Sequence, residues 1–91
     1  MPKYVIERTV PNAGEMDSAA LREISQQSAT VLQKLGPDIQ WIHSYVGGDK
    51  IFCVYHSANE DLIREHGRLG GFPVDNVYQV AAVIDPATAE S

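Results

Sequence analysis

A chemically unusual set of side chains lies in the segment IQWIHSYVGGDKIFCVYH, residues 39–56. Two glycines can form a turn between two runs of alternating apolar residues, so the segment is predicted to be a β-hairpin. One predicted face carries the chain's single tryptophan and single cysteine with a histidine and two tyrosines: Trp41, His43, Tyr45, Cys53 and Tyr55. A plain core would use Val, Ile and Leu there, so this face is a candidate for an interface or a binding site.

His43 and Cys53 are the residues of this face that could bind a metal. They are predicted on neighbouring antiparallel strands with the same parity, where opposed Cβ atoms lie roughly 5 Å apart. Imidazole and thiolate together suit zinc, copper or nickel. A tight site needs further ligands, from other side chains, water or a second subunit.

The same face also has a purely structural interpretation. Trp41, Tyr45 and Tyr55 can be apolar anchors of an interface, because each buries a large ring and keeps one polar atom. His43 is then a hydrogen-bonded interface residue, and Cys53 is a small buried hydrophobe. The sequence leaves both interpretations open.

A second candidate site combines Glu7, Ser44 and His66. Glu7 interrupts a row that we expect beneath the helices, and a carboxylate there is costly unless it is paired. His66 lies one turn beyond two apolar residues of a predicted helix and therefore faces the sheet. His66 is a natural partner for Glu7, either in a buried inert pair or, where the pair opens to a cleft, with Glu7 as a base or metal ligand, and the sequence leaves open whether the two touch. His56 could join at the sheet edge.

The elements that must position these residues follow from periodicity and capping signals. Helices are predicted over 18–35 and 59–69, where apolar residues recur at three and four. Strands are predicted over 3–10, 39–46, 50–56 and 76–84, where side chains alternate. The order β-α-β-β-α-β is typical of the α+β ferredoxin-like fold, a four-stranded antiparallel sheet with both helices on one face.

Alternation separates the strand residues into two rows. We expect the smaller, mostly aliphatic row beneath the helices: Val5, Glu7, Ile42, Ser44, Val46, Phe52 and Val54. We expect the larger, aromatic row on the open face: Tyr4, Ile6, Arg8, Trp41, His43, Tyr45, Ile51, Cys53 and Tyr55. An open face this apolar usually marks an interface, so we predict a homodimer that packs sheet against sheet.

Composition narrows the function classes. The chain of 91 residues is expected to be a single domain, residues 1–91, with a frayed polar tail at 85–91. A formal charge of −5 without a Lys/Arg cluster argues against nucleic-acid binding. No apolar run approaches the roughly 18 residues of a membrane span. The single cysteine and the absence of a signal-like N-terminus fit a cytoplasmic protein.

Three stretches resemble a known family: KYVIERTVPNAG, IQWIHSYVGGDKIFCVY and REHGRLGGFPVDNVYQV with the later VIDPATAE. They are similar to the small bacterial nickel-responsive, nickel-binding domains of ferredoxin-like fold, a family formerly described as a domain of unknown function. The resemblance extends over about residues 3–90. It implies a compact homodimer that binds Ni²⁺ through histidine and oxygen ligands, without known catalysis. The matching positions are His43, His66 and Glu7.

We therefore expect a divalent transition-metal binding protein, with nickel favoured, that sequesters or delivers its metal rather than catalysing a reaction. The metal ligands predicted from the residues and the resemblance are His43, His66, Glu7 and Cys53. The alternative is a dimeric α+β barrel-type binding module or small enzyme for an organic ligand. Trp41, Tyr45 and Tyr55 would then form apolar walls, and Glu7 with a histidine would be the acid–base group.

Overall fold

The computed structural model describes residues 1–91 and contains two α-helices and four β-strands. The strands are β1 (Lys3–Thr9), β2 (Ile39–Gly47), β3 (Lys50–Ser57) and β4 (Asn76–Gln79), and the helices are α1 (Ser18–Leu35) and α2 (Glu60–Gly70). No helix is both long enough and apolar enough to cross a membrane.

The two helices begin where their capping residues predict. The Asp17 side chain accepts a hydrogen bond from the backbone N–H of Ala20, and Asn59 accepts one from the N–H of Leu62. These side-chain oxygens satisfy donors that have no partner in the first helical turn. Gly71 ends α2 in the left-handed conformation, with a φ of 72°.

The sheet is antiparallel, with strand order β2-β3-β1-β4. Both helices pack on one face, so the predicted ferredoxin-like α+β fold is confirmed. The last strand is shorter than the predicted 76–84 and ends at Gln79. Beyond it, Pro86–Glu90 forms a 3₁₀-helix capped by Asp85, and none of its residues is buried.

The predicted assignment of the two sheet faces is wrong for β1 and β3. Tyr4, Ile6 and Arg8 of β1 are buried beneath the helices, and so are the β3 residues Ile51, Cys53 and Tyr55. The open face carries Val5, Glu7, Phe52 and Val54 instead. The row with the larger aromatic and aliphatic surface thus lies in the core, because more apolar area is removed from water that way.

A β-bulge changes the parity of β2. The register with β3 shifts between Trp41 and His43, so that Trp41 pairs with Tyr55 while His43 pairs with Val54. Trp41 therefore lies on the helix side, and His43 and Tyr45 lie on the open face. A bulge inserts one unpaired residue, and every side chain beyond it changes face relative to a regular strand. The predicted common face of Trp41, His43 and Tyr45 is wrong for this reason.

Candidate functional site

A cavity of about 150 Å³ lies between the helices and the covered face of the sheet. Among its lining residues, Leu21 of α1 is partly exposed and Val46 of the edge strand β2 is 39% exposed. Eight of its 13 lining residues are hydrophobic. An apolar cleft with a few polar groups converging on it is the usual form of a small-molecule site.

Arg8 is the charged residue of this cavity. Its side chain projects from β1 and the residue is 3% exposed. Nη1 donates to the Pro73 carbonyl at 2.8 Å, Nε donates to Cys53 Sγ at 3.4 Å, and Cζ lies 5.6 Å from the centroid of the Phe72 ring. Nη2 is buried without a hydrogen-bond partner, and no carboxylate forms an ion pair with this guanidinium. A buried charge without a counter-charge is unusual and costly.

His66 faces the same cavity from α2. The residue is 1% exposed, and its ring lies between the Tyr55 and Phe72 rings, with centroids 5.4 Å from each. Nε2 lies 3.0 Å from Ser28 Oγ on α1, and Nδ1 has no partner. Burial and the nearby Arg8 charge lower the pKa of the imidazole to about 4. His66 is therefore neutral at pH 7 and can donate one hydrogen bond and accept another.

Tyr55 completes the floor of the cavity. Burial raises the pKa of its hydroxyl to about 12, so it is protonated at neutral pH. Because Tyr55 and His66 are both neutral, the positive charge among the polar residues of the cavity comes from Arg8. The cavity is therefore suited to an anion and unfavourable for a cation.

The open face of the sheet has different chemistry. Glu7 accepts hydrogen bonds from Lys50 Nζ at 3.0 Å and from Asn76 Nδ2 at 3.1 Å. These two partners lower the pKa of the Glu7 carboxyl, which is ionised at neutral pH. His43 is exposed and contacts the Tyr45 ring edge-on, with centroids 5.0 Å apart. Several apolar side chains around them are also exposed, among them Phe52 and Tyr78.

The structure separates the residue pairs that the sequence predicted to meet. His43 lies on the open face and Cys53 on the helix side, so their predicted proximity is wrong. Glu7 and His66 also lie on opposite sides of the sheet, so the predicted position of Glu7 beneath the helices is wrong and the two residues cannot pair. His56 is on the open face with Glu7 and His43. No group of three or more His, Cys, Asp or Glu side chains comes together to hold a metal.

Other predicted site residues do line one cavity. Trp41, Cys53, Tyr55 and His66 all face it, together with Ser44 of the predicted second site. Tyr45 does not, since it is 63% exposed on the opposite face. Glu7 does not line this cavity and therefore cannot be its acid–base group. Of the residues predicted for that role, His66 is the one that lines the cavity.

Arg8 is the residue of the cavity that sequence reasoning missed. The alternation of YVIERT predicts a strand with Arg8 on the open face, where an arginine is unremarkable. The available signal was its position in one row with Tyr4 and Ile6, two residues that are buried in the core. An arginine in a buried row is rarely fully covered unless it is paired, so it marks a candidate site.

Comparisons with known proteins agree with this fold. The model of the family described as nickel responsive protein SCO4226-like matches residues 4–80. The crystal structure of SCO4226 from Streptomyces coelicolor A3(2) superposes with a TM-score of 0.75 and is 11% identical, covering 90% of this chain and 99% of that one. No curated protein matches. Since the family model extends over most of the sequence, this chain belongs to the SCO4226-like nickel-responsive protein family.

Proposed function

We propose that the protein is a cytoplasmic nickel-binding protein that sequesters or delivers Ni²⁺ and does not catalyse a reaction. The observation that carries the proposal is the family match over residues 4–80. Nickel(II) stands high in the divalent affinity series and accepts imidazole and carboxylate ligands. Histidine and carboxylate side chains are both present on the open sheet face.

The proposed nickel ligands are His43 and Glu7. Both lie on the open face, but they are two strands apart and two residues apart along the strands, which separates their Cα atoms by roughly 12 Å. His66 and Cys53, the other predicted ligands, lie on the covered face beside the Arg8 cation, which repels a metal ion. On the open face Glu7 is paired with the Lys50 ammonium at 3.0 Å, but this pair is partly exposed to water and a metal can displace Lys50 more easily than buried Arg8. The open face is therefore the better location for the metal.

A second copy of the chain would supply the missing ligands. The open face exposes large apolar side chains, with Tyr45 at 63%, Tyr78 at 54% and Phe52 at 38%. A face of this kind usually packs against a partner. We propose a homodimer through this face, with His43 and Glu7 of each copy near the shared surface. In such a dimer metal binding and dimerisation are coupled, because the site is incomplete in one chain.

Titration calorimetry with Ni²⁺ tests the assignment. His43→Ala should lower the affinity at least tenfold, while His66→Ala, on the other face, should leave the affinity unchanged once folding is verified. Affinity should also fall below about pH 6, because a protonated imidazole cannot bind a metal. Equal affinity of wild type and His43→Ala would exclude His43 as a ligand.

A further inference from the structure

We propose that the cavity beneath the helices binds a small organic carboxylate, with the carboxylate opposite Arg8 and the apolar part among the cavity walls. This site is separate from the proposed nickel site, since the sheet lies between them. It involves no bond making or breaking.

The first argument is the unbalanced charge. Arg8 is 3% exposed, forms no ion pair, and has Nη2 without any partner. Asp75 is the acidic residue whose charge interacts with Arg8, but its carboxylate accepts a hydrogen bond from the backbone N–H of Thr9. A guanidinium fork matches a carboxylate with two parallel hydrogen bonds. An anion in the cavity would balance this charge, and a small movement of the guanidinium would bring Nη2, which is covered in this structure, within hydrogen-bond distance of it.

The second argument is an unpartnered polar atom on a second residue that lines the same cavity. Nδ1 of His66 is buried without a hydrogen bond, although Nε2 on the other side of the ring contacts Ser28. Two residues that line one cavity thus each carry a covered polar atom without a partner, which is costly in a protein without a ligand. We expect the ligand to hydrogen-bond to this nitrogen or to pack a polar group against it.

The walls and the volume limit the rest of the ligand. Ile24, Ile51, Trp41 and Phe72 present apolar surface to a space of about 150 Å³. A cavity of this volume accommodates a molecule about the size of benzene. The expected ligand therefore carries one carboxylate on a ring or short branched chain, and benzoate is a suitable probe.

The ligand's charge can be tested on the wild-type protein alone. Calorimetric titrations with sodium benzoate and with benzamide, its neutral analogue, compare the same ring with and without the charge. Benzoate should bind at least tenfold more tightly than benzamide. Equal affinities for benzoate and benzamide would show that the cavity recognises only the apolar ring, and this would overturn the proposal. The absence of benzoate binding would overturn it as well. Chloride or phosphate that displaces benzoate at equal concentration would show a general anion site and overturn the organic part.

Variants then locate the site. Arg8→Met has similar length without the charge and should lower benzoate affinity at least tenfold, whereas Lys34→Met, which removes an exposed charge of α1, should change it less than twofold. Unchanged affinity in Arg8→Met, with a native circular dichroism spectrum, would overturn the proposal. If Arg8→Met fails to fold, the rate at which a thiol reagent labels Cys53 provides a wild-type measurement. Benzoate should slow that labelling, because Cys53 lines the cavity, and no protection would contradict the site.

The proposed nickel site and the proposed carboxylate site can be refuted independently of each other. His43→Ala should lower nickel affinity at least tenfold and leave benzoate binding unchanged. Arg8→Met should do the reverse. Loss of both ligands in either variant would contradict the separation of the two sites.

Discussion

Nε2 of His66 lies 3.0 Å from Oγ of Ser28, so one hydrogen bond joins α2 to α1 above the sheet. Both residues are buried, and the imidazole is stacked against Phe72 on one side. This position keeps the ring neutral, because protonation would place a second positive charge near Arg8 in a covered site. An acid-sensitive residue therefore lines the cavity.

The first prediction concerns stability in acid. The pKa of His66 falls from 6.5 in the unfolded chain to about 4 in the folded protein, so the unfolded state takes up a proton first as pH decreases. The contribution of neutral His66 to the free energy of unfolding is fully present above about pH 6.5 and is lost between pH 6.5 and pH 4. At 1.36 kcal/mol per pKa unit the loss is about 3 kcal/mol. Urea denaturation across this pH range measures it.

The matched control for this prediction is His66→Gln, which retains a hydrogen-bonding group and does not titrate. Glu7, Glu65 and Asp75 also have lowered pKa values, and their contributions disappear at more acidic pH in both proteins. The difference between wild type and variant therefore isolates His66. Parallel stability curves from pH 6.5 to pH 4 would show that His66 does not titrate as the structure indicates.

The second prediction concerns the stability effect of Arg8. A ligand-binding arginine without a counter-charge should contribute little to folding, so Arg8→Met should leave the free energy of unfolding within about 1 kcal/mol of wild type or raise it. Chemical denaturation in buffer without organic anions measures this difference. A loss above about 3 kcal/mol, the range typical of a broken buried pair, would identify Arg8 as a structural residue instead.

The third prediction concerns the open sheet face. Phe52→Glu places a charge in the exposed apolar surface of β3 and should convert the proposed dimer to a monomer, because a desolvated unpaired carboxylate is costly. Leu69→Glu is the control, since Leu69 is 45% exposed on α2, away from this face. Light scattering coupled to size-exclusion chromatography gives the mass. A monomeric wild type, or equal masses for all three proteins, would refute the dimer.

The fourth prediction concerns Gly67 of α2, where the absence of a side chain allows the segment after α2 to pack closely against this helix. A Cβ atom at this position would lie 2.7 Å from Val74 Cγ2 and 3.2 Å from the Phe72 carbonyl oxygen. Gly67→Ala should therefore destabilise the protein by about 1 kcal/mol, since the overlap outweighs the gain in helix propensity. It should also weaken benzoate binding by displacing Pro73, which accepts a hydrogen bond from Arg8.

Gly47→Ala is the control for the fourth prediction. A Cβ atom there meets no atom within 4 Å, so neither stability nor binding should change appreciably. Thermal denaturation and benzoate titration of the two variants test both effects. Similar melting temperatures for Gly67→Ala and Gly47→Ala would contradict the close packing.

Residue type alone predicts some of the residues that line the cavity. Trp41, Tyr55, Cys53 and His66 were singled out because their chemistry differs from that of a simple core, and all four line the cavity. Alternation correctly groups Trp41, Cys53 and Tyr55 on one face, but the prediction that this face is open separated them from His66. The inclusion of His43 and Tyr45 in that group was wrong for a different reason, because the bulge between Trp41 and His43 interrupts the alternation in β2. An extra residue in a strand has no clear signature in a run such as QWIHSY.

The sequence by itself determined the elements and their order. Capping by Asp17 and Asn59, the glycine stops and the two periodicities are local properties, and they led to a ferredoxin-like fold without any knowledge of long-range contacts. Only the tertiary structure decided which sheet face the helices cover. Alternation divides a strand into two rows but does not say which row is inside, because that choice depends on the total apolar area buried by all elements together. That choice placed Tyr4, Ile6 and Arg8 in the interior and so created the charged cavity.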